Sequence, residues 1–151
     1  MSTLDLGVIG NCAIASLIDR NGRHVWHGLG RLDGDPVFNA LLDGSDKASA
    51  FAIEIENFSH SKQWYEPNTA VLRTQLFDHR GQAIEITDFA PRFYSRSRFF
   101  TPMTLVRRVR PIHGAPRIRV SLDVRFDWGR SLPVTTHCSN HLRYLCAALP
   151  L

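Results

Sequence analysis

Residues 10–42, GNCAIASLIDRNGRHVWHGLGRLDGDPVFNALL, decide the fold that this chain is expected to adopt. Ala13 to Ile18 is an apolar run of strand length. Asn21-Gly22 follows, and this dipeptide suits a type I′ turn, which needs two positive φ values. The chain should therefore reverse there and pair back through residues 24–27 as a β-hairpin.

The second half of this stretch predicts a polar loop followed by one short helix. Residues 28–36, GLGRLDGDP, are too rich in Gly and Asp to continue a strand. Pro36 suits the first turn of a helix, and Asp35 suits its N-cap. The helix would end at Gly44 and present one apolar stripe, which consists of Val37, Phe38, Leu41 and Leu42. A polar loop between a hairpin and a helix is a place where a β domain displays function.

The remainder of the chain consists of strand patterns separated by turns. Residues 117–127 predict a strand with one apolar face, made by Ile118, Val120, Leu122, Val124 and Phe126. Residues 91–102 predict irregular structure, and residues 142–149 predict a buried strand. The other predicted strands are residues 50–56, 62–66, 69–78, 83–89 and 103–110. Strands throughout, with turns about every ten residues, predict an all-β antiparallel β-sandwich.

Length and composition favour one globular domain without a membrane segment. The chain has 151 residues and a net charge of +4, a modest excess that does not favour nucleic acid as a partner. No apolar run approaches the ~18–20 residues of a membrane span. Three cysteines without paired spacing, and an N-terminus without a basic signal region, predict reduced thiols in the cytoplasm.

Catalysis by this chain alone is not expected. Glu54 and Glu56 share a strand face at a spacing that a hydrolase could use, but an ordinary solvated strand face explains them. His137, Cys138 and His141 have the side chains of zinc ligands but lack a CxxC pair, so we interpret them as loop and core residues. We therefore expect no metal and no cofactor.

Exposed aromatic side chains are the candidates for contact with a sugar. Trp64 and Tyr65 are adjacent in a strand, so they must point to opposite faces and one of them should be exposed. Trp26 and Trp128 are expected to pack in the core, as most sandwich tryptophans do.

The chain also resembles the N-terminal β-sandwich of bacterial glycoside hydrolase family 15, which contains glucoamylase, glucodextranase and trehalase-like enzymes. The resemblance runs in order from Leu6 to Arg130. Leu32 stands where the family usually has Phe, and Gly-Leu-Gly precedes Arg31 where the family usually has Pro. The matching segments are Gly10-Asn11-Cys12, Leu17-Ile18-Asp19-Arg20, Gly22, Trp26, Arg31-Leu32-Asp33, Phe38-Asn39-Ala40-Leu41-Leu42, Thr87-Asp88-Phe89-Ala90-Pro91-Arg92 and Arg125-Phe126-Asp127-Trp128-Gly129-Arg130.

The resemblance implies that residues 1–151 are an incomplete N-terminal part of a longer glycosidase with a supersandwich-like fold. In this family the two catalytic glutamates lie in a following (α/α)6 barrel, which hydrolyses α-glucosidic bonds with inversion. The barrel, and its oligosaccharide or disaccharide substrate, would be the partners of this chain. The loop of Arg31 and Asp33 would then project toward the rim of the barrel's active site.

Alternative interpretations remain open at this point. Arg31 either donates to a sugar hydroxyl, a carboxylate or the barrel backbone while Asp33 orients it, or the two simply pair and fix the loop. Two alternatives to the glycosidase role are open. The chain is either a free-standing carbohydrate-binding or protein-interaction sandwich, or a binder of anions or nucleic acid that uses its arginines. Self-association as a homo-oligomer through an open sheet edge is also expected.

Overall fold

Two antiparallel sheets packed face to face form the body of the protein, as a computed structural model shows for residues 4–28, 30–43 and 49–146. The predicted all-β antiparallel sandwich is therefore confirmed, with one short helix after the first hairpin. The elements are β1 (Gly7–Gly10), β2 (Ala15–Ile18), β3 (His24–Gly28), β4 (Pro36–Phe38), α1 (Ala40–Asp43), β5 (Phe51–Ile55), β6 (Phe58–Tyr65), β7 (Leu72–Asp78), β8 (Ala83–Phe89), β9 (Phe93–Ser95), β10 (Arg98–Phe100), β11 (Val106–His113), β12 (Ile118–Leu122), β13 (Val134–His137) and β14 (Leu142–Leu145).

The core lies between these two sheets. The first sheet has the strand order β1-β2-β3-β5-β12, with β4 paired to β3, and the second has the order β11-β8-β7-β6. Apolar side chains alternate along β5, β7 and β8 and point inward, which buries them together. They are Ile53, Ile55, Leu76, Ile84 and Ile86. Strands β9 and β10, and strands β13 and β14, form two separate hairpins.

The first hairpin is confirmed, but its turn type was predicted wrongly. Strands β2 and β3 pair antiparallel, with Leu17 opposite Trp26. Gly22 has a φ of 74°, whereas Asn21 is not in the left-handed region, so the turn is not type I′. The physical reason is Asp19, whose side chain accepts hydrogen bonds from the N–H groups of Asn21 at 3.0 Å and of Arg23 at 2.9 Å.

The helix prediction for residues 36–42 is wrong in its start and in its cap. Pro36–Phe38 is an edge strand, where the missing N–H of proline costs no ladder bond, and the helix begins only at Ala40. Val37 and Phe38 pack in a core cluster with Val124, and this burial outweighs the local helix signal. Asp35 therefore does not cap the helix. The predicted end at Gly44 lies outside the described residues.

The strand predicted for residues 117–127 is shorter in the structure, where β12 ends at Leu122, and much of its apolar face is not buried. Strand β12 pairs with β5, yet Ile118 is 42% exposed and Val120 is 58% exposed. Both share the inward face of β5, because residues directly opposite in an antiparallel pair lie on the same face. They remain exposed because the second sheet does not extend across β12, whereas Val124, beyond the strand, is buried.

Two further predictions for the second half of the chain are corrected. Residues 91–102 were expected to be irregular, but they contain the β9–β10 hairpin, whose turn has positive φ values at Arg96 and Ser97. Residues 142–149 were expected to form a buried strand, but β14 ends at Leu145 and pairs with β13. Its Leu142 is 48% exposed, whereas Tyr144 is partly buried against the cluster of Val37, Phe38 and Val124. Residues 147–149 lie outside the described part of the chain.

Candidate functional site

Several connecting segments meet at one end of the sandwich, which we call the loop end. They are Asn11 after β1, the loop between β3 and β4, the segment that carries the β9–β10 hairpin, and the turn at residues 127–129. The ends of β1 and β3 lie there together, because both strands pair antiparallel with the start of β2. Asn11 follows β1, and its side-chain amide donates to the carbonyl oxygens of Pro91 at 2.9 Å and Pro102 at 2.8 Å. These bonds fix both ends of the segment that carries the β9–β10 hairpin. The loop end therefore combines residues that are distant in sequence.

The loop between β3 and β4 carries the two residues that sequence analysis selected. Arg31 donates from Nε and Nη2 to the two carboxylate oxygens of Asp33, each at 2.8 Å. Both side chains project into solvent. The pairing raises the pKa of Arg31 and lowers the pKa of Asp33, since each charge stabilises the other. The pair is bidentate and pre-organised at the loop surface.

Asp35, in the same loop, holds a second part of the loop end in position. Its carboxylate accepts the backbone N–H groups of Asp127 at 2.6 Å and Trp128 at 2.7 Å. Both of those residues have positive φ values, 52° and 56°, which are unusual for residues with side chains. The carboxylate thus stabilises a strained turn by satisfying two of its backbone donors.

Trp128 is an exposed aromatic residue that the sequence analysis misassigned to the core. Its side chain is 53% exposed, and its ring lies 6.3 Å from the ring of Trp26, which is partly buried. The prediction that Trp128 packs in the core is wrong, because the backbone of its turn is held outward by Asp35. The signal in the sequence was the Asp-Trp-Gly run itself, which is typical of a turn.

The arrangement at the loop end suits the recognition of a polar ring such as a sugar. An exposed indole offers a flat apolar surface, and tryptophan combines such a surface with a polar N–H. The guanidinium of Arg31 offers hydrogen-bond donors and the carboxylate of Asp33 offers acceptors. Both lie in the loop whose Asp35 binds the backbone of Trp128. Neither group is placed to act as an acid and base pair, because Asp33 is engaged with Arg31.

The other two sequence candidates, Trp64 and Tyr65, lie on β6 and point to opposite sides of the second sheet. The hydroxyl of Tyr65 accepts from the N–H of Val8 at 2.7 Å and donates to the carbonyl of Val8 at 3.0 Å. Tyr65 therefore joins β6 to the edge of β1. Trp64 is 38% exposed and lies directly across from Arg73. The two rings form no common platform, and sugar contact by either residue stays a prediction.

The β9–β10 hairpin displays four aromatic residues that sequence analysis did not select. Phe93 stacks on Phe100 with ring centres 5.6 Å apart, and Tyr94 meets Phe99 edge to face at 5.1 Å. All four are at least 40% exposed. Arg92 lies over the ring of Phe99 at 5.2 Å. Exposed aromatic clusters with a neighbouring arginine are enriched in protein–protein interfaces.

A buried polar cluster combines Ser16, His24, Asp88 and Arg107. Ser16 Oγ lies 2.7 Å from His24 Nδ1, and His24 Nε2 lies 3.7 Å from Asp88 Oδ1. These are the residue types of a hydrolase triad, but all three are almost completely inaccessible. No substrate reaches a hydroxyl in the core, so the cluster is structural.

Within this cluster Asp88 and Arg107 form a buried ion pair. Burial alone would raise the pKa of Asp88, but the nearby His24 and the hydrogen bonds and positive charge of Arg107 outweigh it and lower that pKa. Burial lowers the pKa of His24, and the positive charge of Arg107 adds to this against the opposing effect of Asp88. Asp88 is therefore ionised and His24 is neutral at pH 7.

The remaining sequence candidates occupy separate surfaces. His137, Cys138 and His141 lie in the exposed β13–β14 hairpin and its turn. Within residues 4–28, 30–43 and 49–146, no three or more His, Cys, Asp or Glu side chains are placed to hold a metal ion. Glu54 and Glu56 are exposed, and Glu54 faces Arg119 across the β5–β12 pair.

Comparison with known proteins found no relative of this chain. No family model, no curated protein and no solved structure matches the chain. In the part of the chain that the structure describes, no helix has the length and apolar character needed to cross a membrane.

Proposed function

We propose that this chain is the accessory β-sandwich of an α-glycosidase of the glucoamylase or trehalase type. It packs on an (α/α)6 catalytic barrel and contributes the loop of Arg31 and Asp33 to the rim of the active site. The barrel supplies the general acid and the general base, and the sandwich supplies contacts to the oligosaccharide or disaccharide. Its three cysteines are free, which is consistent with a place in the cytoplasm.

The observation that carries this proposal is the exposed Arg31–Asp33 pair, in the same loop as the Asp35 carboxylate that binds the backbone of the exposed Trp128. The aromatic β9–β10 hairpin at the same end supports the second part of the proposal, since it offers a surface for packing on a barrel. The family resemblance covers the same loop.

The test is charge reversal of Arg31 in the full-length enzyme that the proposal implies. We expect Arg31→Glu to lower kcat/KM by about tenfold or more, which corresponds to the loss of one charge-assisted contact, with an unchanged Tm. Arg20→Glu is the matched control because Arg20 forms an exposed ion pair with Asp5 elsewhere on the surface. A fall in Tm without loss of turnover would show instead that the Arg31–Asp33 pair only fixes its loop.

A second candidate function, a free-standing carbohydrate-binding sandwich, is favoured by the exposure of Trp128 alone. It predicts that the isolated chain binds maltooligosaccharides with a Kd near or below ~100 μM and that Trp128→Ala abolishes this binding. The accessory role predicts affinity at least about tenfold weaker, because the barrel supplies most of the sugar contacts. Isothermal titration calorimetry of the chain and of Trp128→Ala separates the two.

A further inference from the structure

Strand β12 is the edge of the first sheet, and its outer edge lacks a partner strand within the described residues. The backbone bonds that flank it run from Glu56 N–H to Arg117 C=O and from Asp123 N–H to Ala50 C=O, each at 3.0 Å. Residues with odd numbers therefore bond inward to β5. The N–H and C=O groups of Ile118, Val120 and Leu122 consequently point away from the sheet, where another strand can bond them.

The inner face of the same strand is apolar and open. Ile118, Val120 and Leu122 are 42%, 58% and 36% exposed, although they lie directly opposite the inward residues of β5. Unpaired backbone groups and an uncovered apolar row on one strand form a template for strand addition. An edge of this kind is normally covered by another strand.

The sequence of this strand indicates which partner strand its outer edge would bind. Residues 117–123 read RIRVSLD, which is complementary to itself when two copies run antiparallel about Val120. In that register Val120 faces Val120, Ile118 faces Leu122, and Arg119 faces Ser121. Arg117 faces Asp123 of the second copy, whose carboxylate also accepts from Arg125 of its own chain at 3.2 Å, so opposite charges meet at both ends. In the neighbouring register the two-fold axis would lie at position 119. Arg119 of one copy would then face Arg119 of the other, and repulsion between these like charges disfavours that register.

From these observations we propose that two copies of this chain associate through β12 about a two-fold axis at Val120. About this axis, Val120 of one copy and Val120 of the other form a hydrogen-bonded pair. This fits the outward direction of the N–H and C=O groups of Val120. The two first sheets then form one continuous sheet, with the apolar rows of both copies side by side on one face. This inference does not depend on the proposed glycosidase role, because β12 is separate from the Arg31–Asp33 loop.

The test is sedimentation velocity of the 151-residue chain from ~1 to ~500 μM, with charge swaps at the ends of the strand. We expect the chain to dimerise, and both Arg117→Asp and Asp123→Arg to raise the dimer Kd at least about tenfold, because each sets like charges opposite one another. The double variant restores opposite charges and should return the Kd to within about threefold of the original. Arg108→Asp is the matched control, since Arg108 is an exposed residue on β11, the edge of the other sheet.

Two further measurements protect the test from variants that merely unfold. Val120→Pro removes an N–H that bonds nothing in β5, so this variant should stay folded by circular dichroism and become monomeric. In the original chain the amides of residues 118, 120 and 122 should exchange with deuterium more slowly as concentration rises. A chain that stays monomeric throughout, a double variant that fails to restore dimerisation, or dissociation by Arg108→Asp alone would overturn the proposal. Binding of a different polypeptide to the β12 edge, while the chain alone stays monomeric, would also overturn the proposed dimer.

Discussion

At the scale of single residues, Arg107 and Asp88 hold the two sheets together. Arg107 donates to both carboxylate oxygens of Asp88, at 2.7 and 3.0 Å, and to the carbonyl of Phe51 at 3.0 Å. Asp88 and Arg107 belong to the second sheet and Phe51 to the first, so one guanidinium bonds across the sandwich. Both charges are buried, and each depends on the other for compensation.

Asp88→Asn is expected to be strongly destabilising because it leaves Arg107 buried without a counter-charge. The expected loss in the free energy of unfolding is about 3–5 kcal/mol. Urea denaturation monitored by tryptophan fluorescence measures it. The control is Asp5→Asn, which breaks the exposed pair with Arg20 and should cost under about 1 kcal/mol. Equal small losses in both variants would contradict the role assigned to the buried pair.

At the scale of elements, the turn after β12 determines how Trp128 is displayed. Asp127, Trp128 and Gly129 have φ values of 52°, 56° and 88°, so three successive residues are left-handed. Asp35 compensates the first two through its carboxylate. Gly129 has no room for a side chain, because a β-carbon there would collide with the side-chain amide of Asn39. Asn39 is itself fixed by Ser49, whose hydroxyl donates to it at 2.6 Å.

Gly129→Ala is therefore expected to lower the free energy of unfolding by about 2–4 kcal/mol, since backbone strain and a steric clash add. Gly30→Ala is the control for strain alone, because Gly30 also has a positive φ, 77°, but has open space around its Cα. It should cost about 1 kcal/mol. Thermal or urea unfolding compares the two, and similar losses would show that the contact with Asn39 relaxes without cost.

At the scale of the whole molecule, buried histidines between the sheets link folding to pH. Burial lowers the pKa of His24, and burial likewise lowers the pKa of His27 despite its hydrogen bond to the carbonyl of Ala15. In the unfolded chain both would protonate near their ordinary pKa of 6.5. Proton uptake by the unfolded state alone favours unfolding.

The free energy of unfolding is therefore expected to be constant above pH 7 and to fall as the pH drops below 6.5. A decline of about 1 kcal/mol or more by pH 5 is expected from two such groups. Urea denaturation at a series of pH values measures it. His24→Gln should flatten the decline, whereas His79→Gln, at an exposed histidine in the β7–β8 turn, should leave it unchanged. A decline that is the same in all three proteins would rule out His24 as its source.

Local patterns predicted the strands well and their environments less well. The strands predicted for residues 50–56, 69–78 and 83–89 follow from local patterns, and the structure confirms them as β5, β7 and β8. Whether an alternating face is buried depends on a second sheet that no local pattern encodes. Val120 illustrates this, since it belongs to the predicted apolar face and its side chain is 58% exposed.

Short-range patterns were enough to predict the all-β class and the first hairpin, because alternation and turn residues act over a few positions. Three features depended on how the sheets pack: the bond of Asp35 to the backbone of Trp128, the burial of Asp88 beside Arg107, and the position of β12 at the edge of its sheet among the described residues. These three facts join residues up to 93 positions apart. Such contacts depend on how the sheets pack, and packing is a property of the whole chain.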